Sequence, residues 1–144
     1  NWEDHPADLI LKLSDWGFDK RSTLMREFWT GKIAVLDGQH TFRQVPPHGV
    51  RLIALRKMAD LVYLGTDLHL AQGIELNEWR VDGSTLEFKL DLGRKVEGNI
   101  FIHAQATPVR VYQNGKPVKW QALDTNFIRI PVILDPDSRI QVHF

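Results

Sequence analysis

The acidic residues of this sequence offer few pairs with the spacing of a reactive site. Acid–base cleavage of a sugar linkage uses two carboxyl groups about 5 to 10 Å apart. Asp135 and Asp137 flank Pro136 at a spacing that could also ligate calcium, but Asp-Pro-Asp before a final strand is more typical of a β-turn. Glu75 and Glu78 are expected on a strand rim, solvated or in ion pairs. We therefore predict no catalytic residue in this chain.

Metal, cofactor and nucleophile chemistry also lack their usual markers. The six histidines show neither the i, i+4 nor the His-x-His spacing of a metal site, and the chain has no cysteine. No Gly-x-Ser-x-Gly, phosphate-binding glycine loop or Gly-x-Gly-x-x-Gly occurs. His48 and His69 have distinctive neighbours, and we expect each to orient a loop by hydrogen bonds. The sequence thus predicts no metal and no cofactor.

The five tryptophans are the one feature that points to a ligand, because sugar rings stack on aromatic side chains. Trp79 and Trp120 lie near turn signals and, with Tyr112, are candidates for a platform that binds neutral oligosaccharides. Packing in a core or against a neighbouring domain is the commoner role of any single tryptophan. Phe28 and Trp29 are interpreted as core or as part of a domain interface.

Composition restricts the class of partner. The chain has 18 Lys plus Arg against 18 Asp plus Glu, so no strong field favours nucleic acid or an anionic membrane. No apolar run approaches the roughly 20 residues that span a bilayer. A neutral ligand or a protein partner is expected, and the compartment stays open. Because the chain starts without Met, in what resembles the end of a strand, we expect a fragment of a longer protein.

The elements that must position these residues are short antiparallel strands. Asp37-Gly38, Asp82-Gly83 and Asn114-Gly115 are predicted to close hairpins. Apolar and polar residues alternate between them, as expected for sheets with one buried face. The alternating segments start near Leu9, Leu86, Val109, Ile128 and Ile140.

Two segments are compatible with more than one local structure. Residues 50–64 also fit helical spacing, but strands are favoured, with residues 50–55 as a central strand covered on both faces. Pro131 indicates an edge strand or a bulge.

Turn signals every eight to twelve residues predict an all-β antiparallel β-sandwich, jelly-roll or Greek-key-like. A seam near Arg56 divides residues 1–56 from 57–144, either as two small tandem sandwiches or as one continuous body.

Several stretches together resemble the C-terminal β-sandwich domain of α-galactosidase-like glycoside hydrolases of clan D, the family 36 and 27 type. Residues 1–56 carry the resemblance best. Asn1-Trp2 resembles the family's opening, and residues 13–18 its strand-to-corner segment, with Trp16 in place of an aliphatic residue. Residues 27–31 (Glu-Phe-Trp-Thr-Gly) resemble its Asp-Leu-Trp-x-Gly signature, and residues 45–52 its Pro-x-His stretch with a closing strand. Residues 63–73 are similar to an extension in some bacterial members.

The resemblance implies an indirect role. The family's catalytic carboxylates belong to a preceding (β/α)8 barrel, and no residue here matches those motifs. The chain would then be a non-catalytic accessory domain that packs on the barrel and stabilises it, with Phe28, Trp29, His48 and His69 as candidate interface residues. A carbohydrate-binding module that uses Trp79, Trp120 and Tyr112 is the alternative, and an independent enzyme of unfamiliar type is a third.

Overall fold

The computed structural model describes residues 1–18 and 22–144. It confirms the predicted fold class, because the chain is almost entirely antiparallel β-structure arranged as a sandwich. The chain divides into two compact units, Asn1–Ala59 (unit 1) and Asp60–Phe144 (unit 2).

Unit 1 contains two small sheets. Its strands are β1 (Ala7–Lys12), β2 (Thr23–Glu27), β3 (Ile33–Leu36), β4 (Gln39–Val45) and β5 (Ile53–Lys57). β1 pairs with β4, and β2 lies between β3 and β5. A 3-10 helix, Leu13–Trp16, follows β1 and ends at Gly17, whose φ of 74° is left-handed. Both sheets and this helix contribute to one buried apolar cluster, formed by Leu11, Leu13, Met25 and Leu36.

Two predictions for unit 1 were wrong. The segment expected to be a central strand, residues 50–55, leads into β5, which lies at the edge of its sheet, and Val50 is exposed. The central strand is β2, all of whose residues are buried. Asp37-Gly38 closes no hairpin, because it joins β3 to β4 and these strands belong to different sheets. Local turn chemistry predicts that the chain reverses but not which strand receives it.

Unit 2 is a sandwich of a five-stranded and a four-stranded sheet. Their strand orders are β11-β10-β14-β8-β7 and β12-β13-β9-β6. The strands are β6 (Leu61–Thr66), β7 (Leu76–Asp82), β8 (Thr85–Asp91), β9 (Val96–Ala104), β10 (Arg110–Gln113), β11 (Lys116–Pro117), β12 (Gln121–Asp124), β13 (Phe127–Leu134) and β14 (Asp137–His143). Residues 50–64 therefore hold strands rather than the helix that their spacing also allowed.

The apolar residues of the alternating segments predicted from the sequence form the core of unit 2. β8 buries Leu86, Phe88 and Leu90 completely, and β13 and β14 alternate in the same way. The hairpins predicted at Asp82-Gly83 and Asn114-Gly115 are confirmed, with Asp82 opposite Thr85 and Gln113 opposite Lys116. Val109 departs from the pattern, since it precedes β10 and is 71% exposed.

Pro131 lies in β13, which is paired along its full length on one side only. β9 pairs with β13 from Phe127 to Leu134, whereas β12 pairs only with residues 127–129 of β13. β13 is an inner strand of its sheet rather than an edge strand, but Pro131 lies beyond the end of its pairing with β12, where no ladder hydrogen bond is lost on that side. Beyond it, the Gln113 side chain covers the edge: Nε2 donates to the Ile133 carbonyl, and Oε1 accepts from the Ile133 amide at 3.4 Å. Proline and glutamine together thus shield this edge from further strand pairing.

Candidate functional site

The first and last stretches that carry the family resemblance meet in unit 1. The side-chain amide of Asn1 donates to the carbonyl oxygens of Val45 at 2.8 Å and Pro46 at 3.0 Å. The Asn1 nitrogen donates to the Gly49 carbonyl at 2.9 Å. An aspartate at this position would lack the two amide hydrogens that satisfy these carbonyls. Asn1 therefore joins the opening of unit 1 to the loop that precedes β5.

The middle stretch of the resemblance builds the turn between β2 and β3. Oε2 of Glu27 accepts hydrogen bonds from the amide of Thr30 at 2.6 Å and from its hydroxyl. The Glu27 amide donates to the Lys32 carbonyl at 2.8 Å. Gly31 has φ of 68°, a left-handed conformation that favours glycine. The acid, the threonine and the glycine of this stretch thus have structural roles within the turn.

This turn presents an exposed tryptophan. Trp29 is 53% exposed, and its ring meets the half-buried Phe28 ring edge-to-face at 6.0 Å between centroids. Trp2, held beside the loop before β5 by Asn1, is 94% exposed. Among its described residues, unit 1 exposes six large apolar side chains: Trp2, Ile10, Trp16, Trp29, Val35 and Val50. Trp29 and Phe28 form a single aromatic pair, which is the part of the predicted interface set that the structure brings together.

The two histidines predicted with that pair lie elsewhere. His48 is an exposed loop residue with φ of 55°, and its Nε2 is 3.7 Å from Oδ1 of Asp4. His69 belongs to unit 2, where its Nδ1 accepts a hydrogen bond from the Ala71 amide at 3.1 Å. His69 therefore orders its own loop in unit 2.

The three candidate sugar-binding residues separate into two groups. Trp79 packs against the core of unit 2, with its ring centroid 5.3 Å from that of Phe88 and 6.1 Å from that of Tyr63. Trp79 is half-buried, because it lies opposite Phe88 in the β7–β8 hairpin and shares its inward face. Tyr112 and Trp120, in contrast, line one open depression of about 330 Å³.

Trp120 separates this depression from a second one. The first also contains the cationic side chains Arg110 and Lys119. The second, of about 350 Å³, combines the Trp120 and Phe127 rings with polar residues that include Asp124 at the end of β12 and Asn126 in the turn after it. Aromatic faces beside hydroxyl, amide and carboxylate groups are the side-chain types that recognise sugars. Trp120, half-buried and packed on the core, is the common wall of both depressions.

Glu75 is a buried carboxylate, contrary to its predicted position on a solvated strand rim. It is fully buried, not on a strand rim. Its Oε1 accepts from the Tyr63 hydroxyl at 2.6 Å and the Thr66 hydroxyl at 2.8 Å, and its Oε2 accepts from the Gly73 amide at 2.8 Å. These bonds tie the end of β6 to the loop before β7. Glu78, by contrast, is exposed and 3.4 Å from Arg139, as predicted for a solvated ion pair.

The Asp-Pro-Asp stretch forms a turn held by two ion pairs. Asp135 lies 2.9 Å from Lys95, and Asp137 lies 2.7 Å from Lys89. In each pair, the hydrogen bond to the carboxylate raises the pKa of the lysine. Within residues 1–18 and 22–144, no three His, Cys, Asp or Glu side chains converge as metal ligands. The stretch forms the short connection between β13 and β14.

The fold and these surfaces define an all-β sandwich protein with aromatic surfaces among its candidate sites. No family model matches the chain, and no curated protein is significantly similar to it. In the part of the chain that the structure describes, no helix has the length and apolar character to cross a membrane.

Proposed function

We propose that this chain is a non-catalytic accessory region of an α-galactosidase-like glycoside hydrolase, in which it packs on and stabilises a catalytic (β/α)8 barrel. Sugar cleavage would take place on the barrel, in a longer protein. The sequence stretches of residues 1–56 that resemble this family are the origin of the proposal.

The observation that carries the proposal is the structural use of those stretches in unit 1. Asn1 closes on the loop at Pro46, and Glu27 closes the turn that presents Trp29. Residues that keep an exposed aromatic side chain in a fixed place are expected at a surface that docks a partner. Tryptophan is enriched at the centres of such interfaces.

The small core of unit 1 also supports a docked partner. Domains of about 60 residues bury a low fraction of their surface and are marginally stable alone. Unit 1 has four residues in its buried apolar cluster and exposes three tryptophans. Covering such side chains removes apolar surface from water at roughly 25 cal/mol per Å². A barrel docked on them would stabilise unit 1 and be stabilised in return.

The longer gene product tests this proposal. The coding sequence upstream of Asn1 should specify a (β/α)8 barrel, and the long protein should hydrolyse aryl α-galactosides while the 144-residue chain alone does not. Trp29→Ser in the long protein should lower its melting temperature, with Ile10→Ser as a control for loss of another exposed apolar side chain of unit 1. An upstream sequence without a barrel, or a long protein without glycosidase activity, would refute the proposal.

A second candidate function is recognition of neutral oligosaccharides by unit 2. It is favoured by the shared depression of Tyr112 and Trp120 and by the polar and aromatic lining on the other side of Trp120. Trp79 lines neither of these two depressions.

Titration calorimetry of the chain with galactose, raffinose and larger plant oligosaccharides distinguishes this function from a purely structural one. Saturable binding that Trp120→Ala or Tyr112→Ala abolishes, and that Trp16→Ala retains, would establish a binding module. The absence of heat at millimolar sugar would rule it out and leave the accessory role.

A further inference from the structure

A polar depression of about 410 Å³ lies within unit 1, apart from the exposed tryptophans. The end of β2, the turn after it, strand β4 and the segment before β5 all contribute to its wall. Its lining consists of Glu27, Thr30, Lys32, His40, Thr41, Phe42, Arg43 and Arg51. The volume lies in the range of small-ligand sites and exceeds that of a single sugar ring.

The charges of this depression are unbalanced. Lys32, Arg43 and Arg51 form no ion pair or side-chain hydrogen bond with any residue that the structure describes. Cations of unit 2 with a carboxylate partner provide the contrast: Arg80, Lys89, Lys95 and Arg139. Three unpaired cations from separate elements, facing one space, favour an anionic group there. Arginine in particular binds carboxylates through two parallel hydrogen bonds.

The remaining lining suits a hydroxylated ligand. Glu27 is 2% exposed, and its Oε1 has no hydrogen-bond partner among the described residues. A hydroxyl donor reaching this oxygen would satisfy an acceptor that is otherwise buried without one. The Thr41 hydroxyl offers a further polar group, and the half-buried Phe42 ring offers an apolar surface for the C–H face of a sugar.

His40 adds a polar group without a charge at neutral pH. Its ring meets Phe42 edge-to-face at 4.8 Å between centroids. Burial lowers the pKa of His40, and the nearby Lys32 ammonium lowers it further. The neutral imidazole can therefore donate or accept a hydrogen bond, and the positive charge of the site comes from Lys32 and the two arginines.

We propose that this depression binds the carboxylate of a small hydroxylated acid, a hexuronic acid or an oligosaccharide that ends in one. The carboxylate would lie between Arg43 and Arg51, with Lys32 close to it. The ring hydroxyls would face Glu27 and Thr41, and the apolar side of the sugar would face Phe42. This site is independent of the Tyr112 and Trp120 surface and does not require that the proposed parent enzyme exist.

Calorimetric titration of the 144-residue chain with four compounds tests the proposal. D-galacturonate carries both the carboxylate and the hydroxyls, D-galactose lacks the charge, acetate lacks the hydroxyls, and phosphate is an unrelated anion. Galacturonate should bind at least tenfold more tightly than galactose and acetate. Equal binding of galactose by the Trp120→Ala chain, which lacks the other candidate sugar surface, or no binding of galacturonate, would overturn the proposal. Equal binding of acetate or phosphate would show a general anion site and overturn the sugar-acid assignment.

Matched variants locate the site. Arg51→Gln and Lys32→Gln should each weaken galacturonate binding at least fivefold. Lys12→Gln removes an exposed cation of unit 1 that does not line the depression, and it should leave binding unchanged. Circular dichroism spectra that match the parent chain show that each variant is folded. If all three variants bind alike, the ligand lies elsewhere and the assignment fails.

Discussion

Unit 1 and unit 2 use the same antiparallel strands but bury their apolar side chains to different extents. The cluster of unit 2 contains fifteen buried residues from both of its sheets, whereas that of unit 1 contains four among the described residues. Unit 1 is also the part that exposes Trp2, Trp16 and Trp29. Unit 2 therefore has a complete sandwich core, whereas unit 1 has exposed aromatic side chains that a partner could bury.

Separating the units gives the largest expected effect. Residues 60–144 expressed alone should unfold in one cooperative transition, because their core is complete within that segment. Residues 1–59 alone should show no cooperative transition, because so small a core barely offsets the loss of chain entropy. Thermal circular dichroism of both segments makes the comparison. A sharp transition for residues 1–59 would remove the contrast on which the docking proposal depends.

Loss of the buried carboxylate of unit 2 should rank next. Glu75→Ala leaves the Tyr63 and Thr66 hydroxyls and the Gly73 amide without this acceptor, at a cost of roughly 3 to 5 kcal/mol in the free energy of unfolding. Glu78→Ala removes an exposed carboxylate three residues away and should change stability by less than about 0.5 kcal/mol. Urea unfolding measures both. Similar values for the two variants would contradict the burial of Glu75.

Two tryptophans sharpen the comparison between the units. Trp79→Ala removes a ring packed against Phe88 and should cost about 2 kcal/mol, less than for a fully buried tryptophan. Trp29→Ala should change the stability of this chain by less than about 0.5 kcal/mol, because the ring is half exposed at a turn. Chemical denaturation of the two variants tests the difference. A larger loss for Trp29 would place that ring in the core of unit 1.

The smallest expected effect is a pH dependence of unit 1. Burial and Lys32 lower the pKa of His40 from its ordinary value of 6.5, so the unfolded chain takes up this proton first as the pH falls. The His40 contribution to stability is therefore full above pH 6.5 and declines as the pH drops below that value. His40→Gln should flatten this part of the pH profile measured by urea unfolding. An unchanged slope would show that other groups cause it.

The sequence predicted well what depends on neighbouring residues. Alternation placed Leu86, Phe88 and Leu90 on a buried face, because successive side chains of a strand point to opposite sides of its sheet. Asn114-Gly115 closes the hairpin that its tolerance of positive φ predicts. It failed where the partner is distant: Asp37-Gly38 sends the chain into a different sheet. Strand pairing is a long-range choice that a dipeptide does not encode.

Candidate-site residues divided in the same manner. Residue type alone indicated tryptophan and tyrosine as ligand candidates, and the structure brings Tyr112 and Trp120 to one depression. The inward position of Trp79 depends on its register with Phe88, which no local sequence pattern predicts. The depression formed by Lys32, Arg43 and Arg51 was missed entirely, because its residues come from three separate segments.

The antiparallel all-β class of this protein followed from its sequence, since strand period, turn residues and composition are local properties. Tertiary structure alone decided which strands are central, which carboxylate is buried and which aromatic rings remain exposed. The physical reason is that a side chain is buried only when residues from other parts of the chain pack over it. Glu75 is buried and Glu78 is solvated, although three positions separate them, because Tyr63, Thr66 and Gly73 fold around only the first.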